Sequence, residues 1–317
     1  MSVTVKIAPL RELSHEEFYK IVLAREEVFV LEQKITLCPE VDEVDLRCIH
    51  ILVEEDGALV AYARCFKEES EAFTAHIGRV LTTVRGRGLG ALVMREALGA
   101  CRTLLGAGEA VLHAQEQVVE FYKKCGFHVT GGSFDECGIV HYPMSRTIYE
   151  IRPAVSEDIP GIMPVLAAAK GIMRESGNSG QWVNGSPSEA DIRADITSGI
   201  ARVVLSAPSA GMHGGRIAGY FAFMPSPEPS YARIFDGKWL DDSRPYHVVH
   251  RIGSYPDARG VLSAMLDYAF SYDDNIRVDT HADNLIMQRL LSRFGFTRCG
   301  TILLSNGSPR LAYQRLQ

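Results

Sequence analysis

Lysine and arginine form no cluster anywhere in the 317 residues, and with 33 bases against 39 acids the net charge is −6. That balance excludes a general nucleic-acid or anionic-membrane surface and points to a small-molecule partner. No apolar run approaches the roughly 18 residues of a membrane span. Met1 to Leu13 carries no apolar leader core, so a cytoplasmic protein with no membrane partner is expected. Cysteine is sparse. The seven, at positions 38, 48, 65, 101, 125, 137 and 299, form no C-x-x-C pair and are odd in number, which suits reduced thiols and no metal site, zinc in particular. The oligomeric state is left open. What is present is ordinary globular composition, 46% hydrophobic, at a length that suits two domains of about 150 residues.

The most informative stretch is Ile77 to Ala91, Ile-Gly-Arg-Val-Leu-Thr-Thr-Val-Arg-Gly-Arg-Gly-Leu-Gly-Ala. An apolar strand, Ile77 to Thr82, turns through Gly86, Gly88 and Gly90 into a helix whose apolar face includes Leu92, Val93, Leu98, Leu104 and Leu105. Glycines at such a corner let backbone N–H groups approach an anion, the helix N-terminus adds a positive dipole end, and Arg85 and Arg87 add full charges. Gly86, Gly88 and Ala91 also satisfy the dinucleotide fingerprint G-x-G-x-x-G/A. That reading needs an acid about 20 residues on, and Glu116 lies 26 residues beyond Gly90, so a nicotinamide enzyme is a distant alternative.

Along the chain, Ser14 and Glu17 form a capping-box signature before one or two helices reaching residue 34. Cys38 to Arg47, with Glu40, Asp42, Glu43 and Asp45, reads as a solvated surface loop. Ile49–Val53 and Leu59–Phe66 flank Asp56-Gly57 as a hairpin. A parallel strand at Ala110–Ala114, a helix at Val118–Cys125 capped by Gly126, and strands at Phe127–Thr130 and Val140–Ile148 complete a domain over 1–148. The pattern restarts at Ile151 and a second domain fills 149–317. Helices are expected at Glu157–Met173, from Ser186-Pro187-Ser188-Glu189 (proline at the first helical position) to about Ser198, at Val261–Tyr272 and at Asn284–Phe294. Strands are expected at Ala201–Ser206, Ile217–Met224, Val248–Ser254, Ile276–Thr280 and Thr297–Leu304, with a Pro-rich excursion over Pro225–Pro245 that suits a lid or acceptor loop.

The halves are a tandem repeat. Arg79 to Gly88 is nine residues, as is Arg251 to Gly260; Gly126-Phe127 to Gly138 is twelve, as is Gly295-Phe296 to Gly307. The fold class is therefore α/β (α+β), one unit used twice, each a mixed, mostly antiparallel sheet flanked by helices.

Arg85-x-x-Gly88-x-Gly90, followed by Phe121-Tyr122-x-x-x-Gly126-Phe127, resembles the GNAT acetyltransferases. Residues 25 to 146 resemble the ElaA-type members through Arg25-x-x-Val28-Phe29-Val30-x-Glu32-Gln33, His50, Ala114-Gln115 and Gly138-Ile139-x-His141. Residues 151 to 317 are similar to another bacterial GNAT group through Gly177-Asn178, Gln181-Trp182, Asp279-Thr280-His281, Asn284, Met287-Gln288 and Gly307-Ser308-Pro309-Arg310. The resemblance implies acetyl-CoA as co-substrate. Backbone N–H groups of Arg85, Gly86, Arg87, Gly88, Leu89, Gly90 and Ala91 would hold its pyrophosphate, and Val80, Leu81 and Thr82 would pair with its pantetheine arm. Tyr122 stands at the family's general acid, Asn284 at its asparagine after the fifth strand, and Gln115 is the first-half counterpart. Gly260 keeps the first glycine of the second corner, but Leu262, Asp257 and Leu291 replace Gly90, Arg85 and Tyr122. The second site is therefore read as degenerate, leucine denying it a positive φ and aspartate repelling phosphate.

An alkyl ammonium of pKa about 10.4 must lose a proton before it attacks a thioester, and the departing thiolate needs an acid. For the base the sequence offers Glu32, Asp42, Asp45, Asp135, Glu136 and His141. Glu32 is chosen because it follows an apolar helix stretch, where burial would raise its pKa. The expected function is transfer of acetyl from acetyl-CoA to an amine of a small-molecule acceptor by direct attack. The alternatives are catalysis in the second domain only, or a non-catalytic acyl-CoA sensor.

Overall fold

Ser14 Oγ accepts the Glu17 N–H at 3.1 Å and Glu17 accepts the Ser14 N–H at 2.7 Å, which closes a capping box and starts α1 (His15–Arg25). The computed structural model describes residues 3–178, 180–182, 185–206 and 215–317. By its internal contacts the chain divides into two units, Met1–Ile148 and Tyr149–Gln317.

In the first unit α1 runs into a π-helical segment, Glu26–Glu32. The strands are β1 (Val3–Pro9), β2 (Ile49–Glu55), β3 (Ala58–Phe66), β4 (Thr74–Thr82), β5 (Glu109–Gln115), β6 (His128–Val129), β7 (Phe134–Glu136) and β8 (Ile139–Thr147). Helices α2 (Leu89–Thr103) and α3 (Val119–Lys124) lie on either side of β5 in sequence. The sheet order is β1-β2-β3-β4-β5-β8-β6, with β7 on β8. Among the described residues of this unit only β4 and β5 pair in parallel. The β2–β3 turn has φ 50° at Asp56 and 82° at Gly57, as a tight Asp-Gly hairpin requires. Both faces of the sheet are covered. Val93, Met94, Ala97 and Cys101 of α2 pack with Val60, Ala63 and Ile77 on one face, and Ile21, Ala24 and Phe29 pack with Leu52, Tyr62 and Leu81 on the other. Each large side chain so buried contributes about 1.5–3 kcal/mol.

The second unit repeats this plan. Strands β9 (Tyr149–Pro153), β10 (Ala201–Ser206), β11 (Ile217–Pro225), β12 (His247–Ser254), β13 (Asn275–Thr280), β14 (Thr297–Leu303) and β15 (Pro309–Leu316) are ordered β14-β15-β13-β12-β11-β10-β9. The helices are α4 (Ile159–Glu175), α5 (Glu189–Thr197), α6 (Val261–Tyr272) and α7 (Leu285–Arg293). Again the fourth and fifth strands, β12 and β13, are the parallel pair. Among the described residues no helix is long and apolar enough to cross a membrane.

Four expectations change. The edge strands β1 and β7 were not foreseen, because their residues are mostly exposed and show no buried alternation. Ser188, not the residue before Pro187, caps α5: its hydroxyl accepts the Asp191 N–H at 3.2 Å, so Pro187 precedes the helix. The 225–245 excursion is packed rather than a free lid. Tyr231 and Trp239 are buried and stacked, and Arg277 lies 3.9 Å from the Trp239 ring and 3.7 Å from that of Tyr246. Cys38 and Cys137 form a disulfide with Cα atoms 5.8 Å apart, which corrects the expectation of seven reduced thiols; the other five cysteines form no disulfide. A separation of 99 residues hid the pair, since only the closed sheet brings the loop after α1 to the β7–β8 turn. The Gly-rich segment of the β10–β11 hairpin, 207–214, lies outside the described residues.

Candidate active site

Strands β4 and β5 pair from Thr74↔Glu109 to His76↔Val111 and then part. Beyond that point a bulge between Tyr62 and Arg64 of the β3–β4 register turns β4 away, with Arg79 at φ 53°. One edge of β4 from Ile77 to Thr82 is thereby left without a strand partner. It opens into a cleft of about 1420 Å³ lined by β4, the loop to α2, and the residues after β5. Val80, Leu81 and Thr82 all line it. Leu81 is buried against the α1 side and Val80 packs toward α2, so what these residues offer a ligand is chiefly backbone.

The glycine corner forms the cleft's far end. Gly86 and Gly88 have φ of 77° and 74°, and Gly88 is the N-cap of α2. Among the described residues none of the backbone N–H groups from Val84 to Ala91 donates to a protein acceptor. A run of free donors at a helix N-terminus fits an acyl-CoA pyrophosphate. Leu89 gives only its N–H, its side chain being buried. Gly90 corrects the sequence reading. Its φ is not positive, and a Cβ there would meet the Phe121 ring at 3.1 Å, so what a side chain would strain at this position is the packing against Phe121 rather than the turn. The loop arginines are both engaged: Arg87 bonds Glu55 through two contacts of 2.6 Å, and Arg85 pairs with Glu32.

Glu32 is therefore not the buried base expected. Its side chain is 51% exposed, because it ends the π-helical segment on the solvent side. An exposed pair of this kind contributes about 0–1 kcal/mol and yields readily to a phosphate ligand.

Tyr122, in the α3 turn that follows Gln115, lies in the same cleft and is 8% exposed. Its hydroxyl has no protein hydrogen-bond partner among the described residues, and burial pushes the phenol pKa well up. The group is thus held neutral and able to donate. Gln115 donates its Nε2 to Gln33 Oε1 at 2.9 Å and accepts from Gln117, so it ties the end of β5 to the segment after α1. His141 is nearly buried, its Nδ1 donating to the Ile139 carbonyl at 2.9 Å. Glu136 pairs with His113, and Asp135 accepts the Gly138 N–H.

The acidic loop is the feature that the sequence misled on. Asp45 is 1% exposed and is bonded by Arg25 and Arg64, each at 2.7 Å. Asp42 takes both Arg64 nitrogens, at 2.6 and 2.7 Å. Glu40 Oε1 is 2.9 Å from the Nε of both Arg25 and Arg79. Burial works against ionisation of Asp42 and Asp45, but Arg64 and Arg25 hold both below the usual carboxylate range; for Glu40 burial wins and the pKa rises. The signal lay elsewhere in the chain. Arg25 on an apolar helix and Arg64 inside an apolar strand had to be buried, and buried guanidiniums demand carboxylates. His50, Cys48 and Asp45 lie close together, but Asp45 is committed to two guanidiniums. His50 donates to the Asp45 carbonyl at 3.0 Å and accepts from Tyr62 at 2.8 Å.

In the second unit the same bulge recurs, between Tyr220 and Ala222 of the β11–β12 register, with Arg251 at φ 54° and paired with Asp195. Gly260 caps α6 at φ 80°, so the conformational argument against Leu262 falls: like Gly90 it sits inside the first helical turn. What differs is the loop before it. Ala258 stands for Gly86, and the N–H groups of Ala258 and Arg259 are consumed by Tyr255 and Asp257 carbonyls at 3.2 and 3.0 Å. Asn284 is 6% exposed; its Oδ1 caps α7 through the Met287 N–H at 3.0 Å and its Nδ2 donates to Gln181 at 2.7 Å. Both its amide nitrogen and its amide oxygen are thus engaged within the protein. The pocket at this corner measures about 200 Å³, and Leu291 is fully buried.

Residues 41–148 match the family model for the acetyltransferase (GNAT) domain, wholly within the first unit. The chain is 38% identical over 136 residues to a UPF0039 protein of Schizosaccharomyces pombe, covering 42% of this chain and 89% of that one. It is 33% identical over 145 residues to protein ElaA of Escherichia coli, covering 44% and 93%. Among solved structures, a GNAT-family acetyltransferase from Streptococcus agalactiae is 31% identical with a TM-score of 0.47, covering 54% of this chain and 96% of its own. With 89% and 93% of those two sequence relatives matched at 38% and 33% identity, this chain is an acyltransferase that belongs to the GNAT acetyltransferase family.

Proposed function

We propose that the first unit moves an acetyl group from acetyl-CoA to the amine of a small-molecule acceptor by direct attack, with Tyr122 as the general acid. The observation that carries this reading is Tyr122, a largely buried ring in the same cleft as the open β4 edge, whose hydroxyl has no protein hydrogen-bond partner among the described residues. A phenol kept neutral by burial gives its proton to the thiolate as the C–S bond breaks, and regains one from the nitrogen through water. The free N–H groups from Arg85 to Ala91 hold the pyrophosphate, and the open edge at Val80–Thr82 aligns the arm that carries the acyl group. Gln115 acts on the geometry of the β5 end rather than on the ligand, since its amide is already bonded on both sides.

The second unit is proposed not to turn over. Its loop donors are partly consumed, its asparagine amide is satisfied within the protein, and leucine replaces the tyrosine. The experiment is acetyl-CoA consumption by the full chain over a panel of small amines, beside the Tyr122→Phe variant. Turnover that falls steeply in the variant supports the reading. Acetyl-CoA binding without turnover on any amine would favour the sensor, and undiminished turnover would remove Tyr122 from the chemistry.

A further inference from the structure

If an ammonium is the acceptor, some group in the cleft has to take its proton, and the structure narrows the choice. Glu32 is exposed and paired with Arg85. Asp42 and Asp45 have both oxygens bonded: Asp42 to Arg64, Arg79 and the Val44 N–H, Asp45 to Arg25, Arg64 and the Asp42 N–H. Glu136 is held by His113. Glu40 differs. It lines the cleft with its side chain 13% exposed, and its two arginines come closest to one oxygen, Oε1, Arg25 by a hydrogen bond and Arg79 as an ion pair at 2.9 Å. Oε2 accepts no hydrogen bond from the protein among the described residues.

We propose that Glu40 receives the ammonium of the acceptor at Oε2 and accepts its proton, a role that rests on the acetyl transfer proposed above. The groups facing it are Arg25 from α1, Arg64 from β3, Arg79 from β4 and the loop's own Asp42 and Asp45. Three guanidiniums oppose three carboxylates, so the cluster as a whole is neutral and does not repel a cation. Arg25 and Arg79 fix the carboxylate by Oε1, which spares the acceptor the entropy of ordering it. Burial raises the Glu40 pKa against the pull of Arg79 and Arg25, bringing it nearer the value useful in a base at neutral pH. The balance is simple. The ammonium brings three hydrogens: one goes to Glu40 and on to solvent, one replaces the proton Tyr122 gave to the CoA thiolate, and one stays on the amide. The N–C bond forms as the C–S bond breaks.

The test is kcat/KM for one accepted alkylamine against pH in wild type, Glu40→Gln and Glu40→Asp, with acetyl-CoA affinity measured by calorimetry on each. Glutamine keeps an oxygen for the two arginines and removes the basic one. Aspartate keeps the charge but withdraws it by a methylene, which covers the case of a glutamine variant that does not fold. The expected result is unchanged acetyl-CoA affinity and a loss of roughly 10²-fold at pH 7, shrinking by up to about tenfold per pH unit as the amine deprotonates by itself. A deficit independent of pH would assign Glu40 a packing role and overturn the proposal, as would no deficit. A shrinking deficit in His141→Asn instead, whose Nε2 is also free, would move the base there. If wild type acetylates no amine, the reading under it fails as well; wild-type turnover with an indifferent Glu40→Gln fails this proposal alone.

Discussion

Asn284 donates its Nδ2 to Gln181 Oε1 at 2.7 Å, and Gln115 donates to Gln33 Oε1 at 2.9 Å in the other unit. The amide after the fifth strand is thus tied, in both units, to an amide from the segment after the first helix. In the second unit Gln181 also accepts from Asn178, and its carbonyl from Arg310. The bonds lock the segment against the end of β13. In the first unit the same tie coexists with the large cleft and with Tyr122. The difference in proposed activity between the units therefore turns on Tyr122 and the loop donors, and not on the amide that the family pattern singles out.

Tyr122→Phe should lower kcat by about 10² to 10⁴, the range for loss of one general acid, while acetyl-CoA affinity stays as in wild type. Steady-state rates at a pH where chemistry limits, with calorimetry beside them, check this. Equal rates would make the tyrosine a packing residue.

Gly88→Ala and Gly260→Ala each force a side chain into left-handed backbone, at about 1–2 kcal/mol of stability. Only the first should also weaken acetyl-CoA binding, because only there do the N–H groups of the two residues preceding the glycine remain unspent; those of Ala258 and Arg259 are taken by Tyr255 and Asp257 carbonyls. Urea unfolding and calorimetry on both variants separate the two effects. Equal affinity losses would contradict the assignment of the cradle to the first unit.

Asp45→Asn should destabilise the chain by about 3–5 kcal/mol, since it leaves Arg25 and Arg64 buried without their shared carboxylate. The pH dependence has a definite sign. Asp42 and Asp45 are held below their ordinary value of 3.8, so on acidification the unfolded chain takes up protons first. Their stabilisation is present above that value and is lost as pH falls through the lower folded values. Urea midpoints below pH 4 should drop less steeply in Asp45→Asn than in wild type.

Thiol titration of the unfolded chain without reductant should find five of the seven cysteines, and seven after reduction. Cys38→Ser should lower stability by up to about 4.7 kcal/mol, the chain-entropy limit for a loop near 100 residues. Seven thiols before reduction would contradict the Cys38–Cys137 bond.

Much of this was legible where the cause is local. Asp56-Gly57 dictates its hairpin, Ser14 and Glu17 their cap, and the apolar spacing of Val261–Tyr272 its helix. The repeat too was visible, and Arg79 and Arg251, the residues by which it was counted, mark the same β-bulge in each sheet. What was hidden depends on partners distant in sequence. Glu40 and Asp45 read as solvated until Arg25, Arg64 and Arg79 are brought against them, and Cys38 has no visible mate until the sheet closes. Gly90 misled for a different reason: a glycine with Phe121 packed closely against it looks the same, in sequence, as one needed for its φ.

The central claim is one acyl-CoA site per chain, in the first unit. Calorimetric titration of the full chain with acetyl-CoA tests it most directly. The account predicts a stoichiometry of one, abolished or strongly weakened in Gly88→Ala and untouched in Gly260→Ala. Two sites per chain, or one that survives Gly88→Ala and disappears in Gly260→Ala, would contradict it.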